Sequence, residues 1–277
     1  MEIAKRKLGK TGMEVTILGL GGEGVLRTHG YDKEAYNLIN RALDLGINYC
    51  ESARAYSGSE SYYGKALNER RRDIFLTSKS HARDREGALA HLQETLKNMK
   101  TGHIDLWQVH DVRTEEDIEE IFGPGGAIEA FVRAKEKGLI RFIGVTGHEN
   151  PEIISRCITL FDFDTVLLPV NPAEPDYMSF LKDVVPLANK KNMGVIGMKV
   201  YLRGAPRQLS FISTMKPFYD FALSQSISTV VIGCDDVKQL EENVRFARSF
   251  KPMPPGEQKK LVSSISPYAR RLMMYKP

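Results

Sequence analysis

The chain alternates strand-like and helix-like segments along its whole length, with no linker or low-complexity stretch between them. Eight short apolar runs are typical of strands buried on both faces, and an amphipathic segment follows each of them. The predicted strands span residues 15–20, 47–51, 74–79, 104–110, 142–146, 163–168, 194–199 and 229–233. The amphipathic segments lie near residues 33–45, 61–69, 85–100, 127–138, 151–160, 177–192, 217–225 and 236–249. This pattern predicts an α/β fold, a closed (β/α)8 or TIM barrel, with residues 1–277 as a single domain.

Local signals add an element at each end of the predicted barrel. Gly9 and Gly12 bracket an N-terminal hairpin that would cap the barrel bottom. Residues 252–277 contain one extra helix-like segment. Four residues are expected at helix ends, two as N-caps and two at C-termini: Asp32, Ser59, Gly46 and Gly138.

Ionisable side chains end three consecutive predicted strands. Glu51, Lys79 and His110 close the runs INYCE, IFLTSK and IDLWQVH, and Thr146 ends the next run. These four positions follow one another at intervals of 28, 31 and 36 residues, which is one strand and one helix per step. Each final residue shares a strand face with the residues two and four before it, so these groups should border the core. Active sites of such barrels lie at the carboxyl ends of the strands, so we expect a functional site here.

The segment GLGGEG at residues 19–24 has the glycine spacing of dinucleotide-binding folds. In those folds a helix begins within the motif, whereas here the next predicted helix begins only near Asp32. We therefore expect these glycines, Gly22 among them, to let a ligand approach the first strand–helix loop of a barrel.

Tyr56 follows the strand that ends at Glu51, and it completes a group of four side chains. A tyrosine has a pKa of about 10, so it is a weak acid at neutral pH unless its phenolate is stabilised. The ammonium of Lys79 would stabilise that phenolate, Glu51 would hold the ammonium, and His110 would hydrogen-bond a substrate oxygen. The group is suited to protonating an oxygen on which negative charge develops. A purely structural ion pair between Glu51 and Lys79 is the alternative.

The segment GINYCESARAYSGSESYYGKAL, residues 46–67, resembles the aldo-keto reductase signature G-I-N-F-F-D-T-A-x-x-Y-G-x-S-E. The start, RKLGKTGMEVTILGLGG, is similar to the opening hairpin and first strand of that family. The segments LTSK, LWQVHD, RFIGVTGH and VVIGCDDVKQLEEN follow in the family's order, so the resemblance covers nearly the whole chain. It implies an oxidoreductase with a (β/α)8 barrel that transfers hydride from NADPH, or less often NADH, to an aldehyde or ketone.

The resemblance assigns a role to each of the four side chains. Tyr56 would be the general acid, Lys79 would lower the pKa of Tyr56, and His110 would orient the carbonyl. Glu51 stands where the family has aspartate. Its extra methylene is expected to shift the ammonium relative to Tyr56.

The resemblance also implies a nicotinamide cofactor, NADPH by family habit with NADH as the rival. The residues that would bind it are Gly22, Thr146, Gly147, Met198, Lys199, Leu202, Gly204, Gly233, Cys234, Gln239, Glu242 and Asn243. Gly147 replaces the family's asparagine, and Met198 replaces an aromatic residue that stacks on the nicotinamide. Leu167 stands where a glutamine is usual. Gln239 replaces an arginine that binds the 2′-phosphate, and Lys238 is the nearest alternative base.

Composition and charge exclude several classes of protein. The chain is 42% hydrophobic and 27% charged, and its net charge of +4 is too balanced for an extended nucleic-acid surface. No apolar run reaches the roughly 20 residues of a membrane-spanning helix, and the N-terminus lacks the apolar core of a signal peptide. We therefore expect a cytoplasmic protein that binds neither nucleic acid nor a membrane. The family resemblance implies a small-molecule carbonyl compound as its partner.

The cysteines bear on metals. Cys50, Cys157 and Cys234 are too far apart in sequence for a metal knuckle, so no metal is expected. The pairs Gly147-His148 and Met198-Lys199 most resemble a bacterial branch that often carries a C-terminal iron–sulfur module. No cysteine follows Cys234, so we expect this module to be absent.

Two other functions stay open. The chain would be a non-catalytic nicotinamide-binding sensor if Glu51 abolishes turnover, or an aldolase if Lys79 or Lys199 forms a Schiff base with its substrate. The substrate is not specified by the sequence. We expect specificity to come from the loops at residues 111–126 and 201–216 and from the tail. The oligomeric state is not specified either, and a monomer is compatible with the sequence.

Overall fold

The computed structural model describes residues 2–277, and residue 1 lies outside them. Eight parallel strands form a closed barrel in chain order, with the last strand paired to the first. The two hairpin strands are β1 (Lys5–Lys7) and β2 (Glu14–Thr16). The barrel strands are β3 (Leu18–Gly24), β4 (Tyr49–Glu51), β5 (Phe75–Ser80), β6 (Ile104–Val109), β7 (Ile140–Thr146), β8 (Thr165–Pro169), β9 (Gly194–Met198) and β10 (Thr229–Cys234). This topology confirms the predicted (β/α)8 barrel.

Helices surround the barrel and follow the predicted amphipathic segments within a few residues at most ends. They are α1 (Asp32–Asp44), α2 (Ser59–Ala66), α3 (Arg85–Asn98), α4 (Glu115–Phe122), α5 (Ala127–Glu136), α6 (Pro151–Leu160), α7 (Phe180–Asp183), α8 (Val185–Lys190), α9 (Lys216–Leu223), α10 (Val237–Arg248), α11 (Pro255–Ile265) and α12 (Ala269–Leu272). Short 3-10 helices occupy Gly9–Thr11, Asn68–Asp73, Glu174–Asp176, Leu202–Gln208 and Ser266–Tyr268. The helix α11 confirms the extra helix predicted in the tail.

An N-terminal hairpin closes the bottom of the barrel, as predicted. Its strands β1 and β2 pair antiparallel. Leu8 and Val15 of the hairpin are fully buried in one apolar cluster with Tyr49 and Phe75 from the barrel strands. The turn passes close to β9, because a Cβ atom at Gly9 would lie 2.2 Å from a backbone nitrogen of that strand. The barrel is therefore plugged by apolar side chains at its amino-terminal end.

Two predicted elements are divided in the structure. The strand predicted at residues 15–20 is interrupted, because Val15 belongs to the hairpin and the barrel strand starts at Leu18. Between them, the hydroxyl of Thr16 donates to the carbonyl oxygen of Leu18 at 2.8 Å. The helix predicted at 177–192 is split into α7 and α8, because Pro186 has no backbone N–H to bond back into α7.

The expected helix ends are half right. Gly46 and Gly138 follow helix C-termini with φ values of +92° and +69°, a left-handed conformation that suits glycine. Asp32 and Ser59 are wrong as N-caps, because each is the first helical residue and neither side chain caps the helix. Asp32 instead pairs with Lys65 of the neighbouring helix.

Candidate active site

The four predicted catalytic side chains meet at the carboxyl end of the barrel. Glu51 ends β4, Lys79 lies near the end of β5, His110 directly follows β6, and Tyr56 lies in the loop after β4. The Lys79 Nζ atom lies 4.7 Å from the centre of the Tyr56 ring. The rings of Tyr56 and His110 meet edge to face with centroids 6.1 Å apart. Alternation along the strands accounts for the common side of Glu51, Lys79 and His110, and the loop after β4 brings Tyr56 to them.

Glu51 and Lys79 form a buried ion pair, with 5% and 1% of their side chains exposed. The Lys79 ammonium also donates to the carbonyl oxygen of Ser52 at 2.8 Å. The second oxygen of Glu51 accepts from the backbone N–H of Gly22 at 2.7 Å. The pair is thus fixed to two strands, and Glu51 bridges β3 to β5.

Gly22 is required by close packing. A Cβ atom at this position would lie 2.8 Å from the Tyr56 ring and 2.8 Å from the carbonyl oxygen of Glu51. A larger residue would therefore push Tyr56 away from the site. The group that approaches Gly22 is thus a protein side chain, and the approach of a ligand to the glycines of β3 stays a prediction.

Tyr56 is 8% exposed, and burial raises the pKa of its phenol well above the usual value. The negative charges of Glu51 and then Glu23 raise this pKa further, while Arg27 lowers it. The direction is opposite to the lowering expected from Lys79, because burial is the largest cause of the shift. The phenol therefore carries its proton throughout the neutral range, which is the state that a general acid needs.

His110 is 7% exposed, and burial, followed by the positive charge of Lys79, holds the pKa of its imidazole well below the usual value. Its Nδ1 atom is buried and has no hydrogen-bond partner among residues 2–277. Its backbone is fixed by Ser80, which accepts from the His110 N–H at 2.8 Å, and by Arg83, which donates to the His110 carbonyl at 2.8 Å. The site therefore holds a neutral imidazole in a rigid backbone frame.

Two adjoining clefts open at this end of the barrel. The first has a volume of about 480 Å³ and the second about 540 Å³. Glu23, Tyr56, Lys199 and Arg203 line both clefts, so the phenol lies where they meet. His110 lines only the second. The arrangement can hold two molecules side by side with Tyr56 between them.

Five of the twelve predicted cofactor residues line the first cleft: Met198, Lys199, Gly204, Gly233 and Gln239. Glu51 and Tyr56, which were predicted to be catalytic, line it as well. These positions belong to the ends of β9 and β10 and to the segments after them. The predicted position of the cofactor site, after the seventh and eighth barrel strands, therefore coincides with a cleft of the structure.

The other seven predicted cofactor residues do not line this cleft: Gly22, Thr146, Gly147, Leu202, Cys234, Glu242 and Asn243. Several are engaged in contacts within the protein. The hydroxyl of Thr146 accepts from the backbone of Asp111 at 2.8 Å. Asn243 is buried, accepts from the Tyr201 hydroxyl at 2.8 Å and donates to the sulfur of Cys234 at 3.4 Å. Leu167, at the expected glutamine position, is buried in the apolar interior of the barrel.

The sequence reasoning missed two groups of charged residues at the clefts. Glu23 accepts from the Lys199 ammonium at 3.2 Å, and Arg203 and Arg207 line the first cleft from the segment after β9. Burial alone would raise the pKa of Glu23, but Lys199 and then Arg27 bring it below its usual value. The glycine spacing of GLGGEG gives no indication of this role for Glu23.

The backbone after β9 is unusual. Lys199, Leu202 and Arg203 have φ values of +54°, +50° and +56°, and Gly204 follows at +81°. Left-handed conformations of non-glycine residues cost of order 1–3 kcal/mol each and cluster at functional sites. Only Gly204 carried a signal for this turn in the sequence.

Residues 2–277 lack two features, a metal-binding group and a membrane-spanning helix. No three His, Cys, Asp or Glu side chains lie together so as to hold a metal ion. No helix in this part of the chain combines the length and the apolar character needed to cross a membrane.

Comparison with protein-family models decides the family. The model of the aldo/keto reductase family matches residues 17–209, which is more than half of the chain. The chain belongs to the aldo/keto reductase family. The family resemblance drawn from the strand-end motifs is thus confirmed.

Two relatives, an oxidoreductase and a dehydrogenase, resemble the chain in sequence. The chain is 30% identical to the uncharacterized oxidoreductase YqkF of Bacillus subtilis over 59% of this chain and 55% of that protein. It is 27% identical to L-galactose dehydrogenase of Arabidopsis thaliana over 88% of each chain.

Solved structures show the same fold. An aldo-keto reductase from Bacillus halodurans in its holo form superposes with a TM-score of 0.79 at 21% identity, covering 95% of this chain and 96% of that one. An aldo-keto reductase from Klebsiella pneumoniae, solved in complex with NADPH, gives a TM-score of 0.77 at 16% identity, covering 96% of each chain.

Proposed function

We propose that this chain reduces an aldehyde or a ketone to the alcohol, with a nicotinamide cofactor as the hydride donor and Tyr56 as the general acid. The observation that carries this proposal is the position of the Tyr56 phenol. It lies where two clefts meet, beside the Lys79 ammonium and the His110 ring. A bound nicotinamide would supply the hydride, and the protein's part is to place the carbonyl and to protonate its oxygen.

The first cleft fits a dinucleotide. Its walls include backbone of Gly204 and Gly233, which can approach a ligand closely, and the thioether of Met198, which can pack on a ring face. Arg203 and Arg207 supply positive charge for phosphates. We favour NADPH over NADH because two arginines border this cleft, although Gln239 donates to Asp235 at 3.3 Å and that aspartate also lines it. The Klebsiella relative in complex with NADPH supports this choice.

Each of the four side chains would have a separate role at the carbonyl oxygen of the substrate. Tyr56 would transfer its proton as negative charge grows on that oxygen, and the remaining phenolate would be stabilised by Lys79. The neutral imidazole of His110 would donate a hydrogen bond to the same oxygen and so orient the carbonyl. Glu51 would keep the Lys79 ammonium charged and in place, which makes Glu51 a positioning residue rather than an acid or a base.

The second cleft favours a polar carbonyl compound. Most of its lining side chains are charged or polar, including His110, Asp111, Arg113, His148 and Glu149. Such walls bind hydroxyl groups better than long apolar chains, because each buried polar group needs a hydrogen-bond partner. The Arabidopsis relative is named for a hydroxylated sugar, L-galactose, which agrees with this choice.

The test compares the wild type with Tyr56→Phe on a panel of carbonyl compounds, including DL-glyceraldehyde and 4-nitrobenzaldehyde, with NADPH and with NADH. We expect Tyr56→Phe to lower kcat at least about 100-fold, because the proton donor is lost. The Kd for NADPH should stay within about twofold, because the ring still packs in place. Tyr36→Phe is the matched control, since Tyr36 is an exposed tyrosine on α1.

Turnover by Tyr56→Phe at the wild-type rate would overturn the proposal. Tight NADPH binding by a wild type that reduces nothing in the panel would favour the sensor function instead. Borohydride trapping of substrate on Lys199, the partly desolvated lysine that lines both clefts, would favour the aldolase.

A further inference from the structure

One wall of the second cleft comes from a segment at the far end of the chain. Met274, Tyr275, Lys276 and Pro277 line this cleft together with Tyr56 and His110. The segment follows α12 and lies outside every helix and strand. Met274 is 74% exposed, so apolar burial at this residue does not hold the segment in place. Its neighbours Met273 and Tyr275 pack in an apolar cluster, and the segment has a polar attachment as well.

The Lys276 ammonium supplies that attachment. It donates to Glu174 Oε2 at 2.8 Å, to the carbonyl oxygen of Met178 at 2.8 Å and to that of Tyr177 at 3.1 Å. The side chains of Lys276 and Glu174 are 1% and 0% exposed. An ammonium has three donors, so all of them are used. A lysine this deeply buried, with complete pairing, is held in one position.

Tyr275 extends the network to the active site. Its hydroxyl donates to Glu174 Oε1 at 2.9 Å and accepts from the side-chain amide of Asn171 at 2.9 Å. The same amide group donates to the carbonyl oxygen of Lys199 at 3.2 Å. Lys199 has the left-handed backbone described above, and it lines both clefts. The wall of the second cleft is thus connected by hydrogen bonds to the residue that lines both clefts.

We propose that Glu174 and Lys276 are positioning residues that determine substrate specificity, because their ion pair holds residues 274–277 as a rigid wall of the substrate cleft. This inference rests on the proposed function only for the identity of the ligand. The pair does not touch the reacting atoms. Its effect should therefore appear in KM and in the range of substrates accepted, with little effect on the binding of NADPH.

The experiment uses the full chain with Lys276→Met, and Lys259→Met as the matched control on an exposed lysine of α11. Hydrogen exchange of the amides in residues 270–277 measures whether the wall is held, and it needs no turnover. We expect exchange in Lys276→Met to be at least about 10-fold faster than in the wild type. With DL-glyceraldehyde and NADPH, we expect KM to rise at least about 10-fold while the Kd for NADPH changes less than about twofold.

A second, milder variant tests the inference if Lys276→Met does not fold. Tyr275→Phe removes only the hydroxyl that bridges Asn171 and Glu174, and it should change exchange and KM in the same direction by smaller factors. Unchanged exchange in both variants would overturn the inference, and so would faster exchange with an unchanged KM for every carbonyl tested. A wild type without any carbonyl turnover would refute the proposed function, while the exchange result would still decide whether the pair holds the wall.

Discussion

Two buried ion pairs of the same composition lie in different parts of this barrel. Glu51–Lys79 has side-chain exposures of 5% and 1%, and Glu174–Lys276 has 0% and 1%. The first lies at the ends of neighbouring strands inside the barrel mouth, and the second joins a loop after β8 to the segment after α12. Burial and residue types are therefore equal, and only the surroundings differ.

The difference lies in how completely each ammonium is satisfied. Lys276 has three acceptors, one for each of its protons. Lys79 finds two among residues 2–277, namely Glu51 and the carbonyl of Ser52, and the Tyr56 ring lies 4.7 Å away. A fully paired buried lysine can only hold structure, whereas a lysine with one free donor beside a phenol can respond to a charge that forms there. We therefore expect Lys276, whose ammonium is fully hydrogen-bonded, to act in structure, and Lys79, whose ammonium is not, to act in the reaction.

Replacing each lysine by methionine separates these roles most strongly. Lys79→Met and Lys276→Met each leave a buried glutamate without its partner, so each should lower the free energy of unfolding by about 3–5 kcal/mol. Lys79→Met should also lower kcat at least about 100-fold, because the phenolate loses its stabilising charge. Urea unfolding and steady-state kinetics measure both effects. Equal losses of kcat in the two variants would contradict the comparison.

His148 differs from the two buried lysines because no carboxylate of residues 2–277 lies within hydrogen-bond distance of its ring. Its Nε2 atom is 4.0 Å from Asp111, and burial brings the pKa of its imidazole to about 4 despite that aspartate. In the unfolded chain, His148 binds a proton below a pH of about 6.5. In the folded chain, it binds that proton only below a pH of about 4. The free energy of unfolding should therefore fall with falling pH across this window, by up to about 3 kcal/mol for this residue.

Urea unfolding of the wild type and of His148→Asn at pH 7, 6 and 5 measures how much His148 contributes to the pH dependence of the free energy of unfolding. The loss on acidification should be smaller in the variant, because only the wild type carries the histidine. Parallel curves for the two proteins would show that His148 is protonated equally in both states.

Shortening Glu51 tests how the catalytic pair is positioned. Glu51 reaches both Lys79 and the backbone N–H of Gly22, and an aspartate lacks one methylene for this bridge. Glu51→Asp should lose the bond to Gly22, lower the free energy of unfolding by about 1–3 kcal/mol and reduce kcat. Glu174→Asp is the matched change in the other pair, and it should affect stability without lowering kcat. A higher kcat for Glu51→Asp would mean that the glutamate holds the ammonium out of its best position.

An exposed pair gives the smallest expected effect. Arg41 donates to Glu241 at 2.7 Å, but their side chains are 44% and 37% exposed. Arg41→Gln should change the free energy of unfolding by about 0–1 kcal/mol, because water screens the pair. A loss as large as that of either buried lysine would show that burial is not what distinguishes these pairs.

The barrel and the strand-end group could be predicted because both depend on local patterns. The spacing from Glu51 to Lys79 to His110 repeats one strand–helix unit, and alternation within each strand fixes the face of each side chain. Motif matching also placed Met198, Lys199 and Gly204 at the first cleft. These residues follow strands whose order in the barrel equals their order in the chain.

The remaining parts depend on contacts between distant residues. Glu174 and Lys276 are 102 positions apart in the chain, and no periodic pattern relates them. Asn243 carries a cofactor motif, but Tyr201 and Cys234 occupy its polar atoms, and only packing in three dimensions decides that competition. Arg203 lines both clefts and belongs to a run of residues with left-handed backbone. Neither Leu202 nor Arg203 is a residue type that predicts this conformation from the sequence.

The hairpin that plugs the barrel has a consequence for the order of events in each catalytic cycle. Because Leu8 and Val15 fill the lower end, both clefts open at the mouth of the barrel. An alcohol that has formed must leave by the route through which the next carbonyl compound arrives. We therefore expect the product to compete with the substrate for the same route. Product release should then limit kcat once the chemical step is fast.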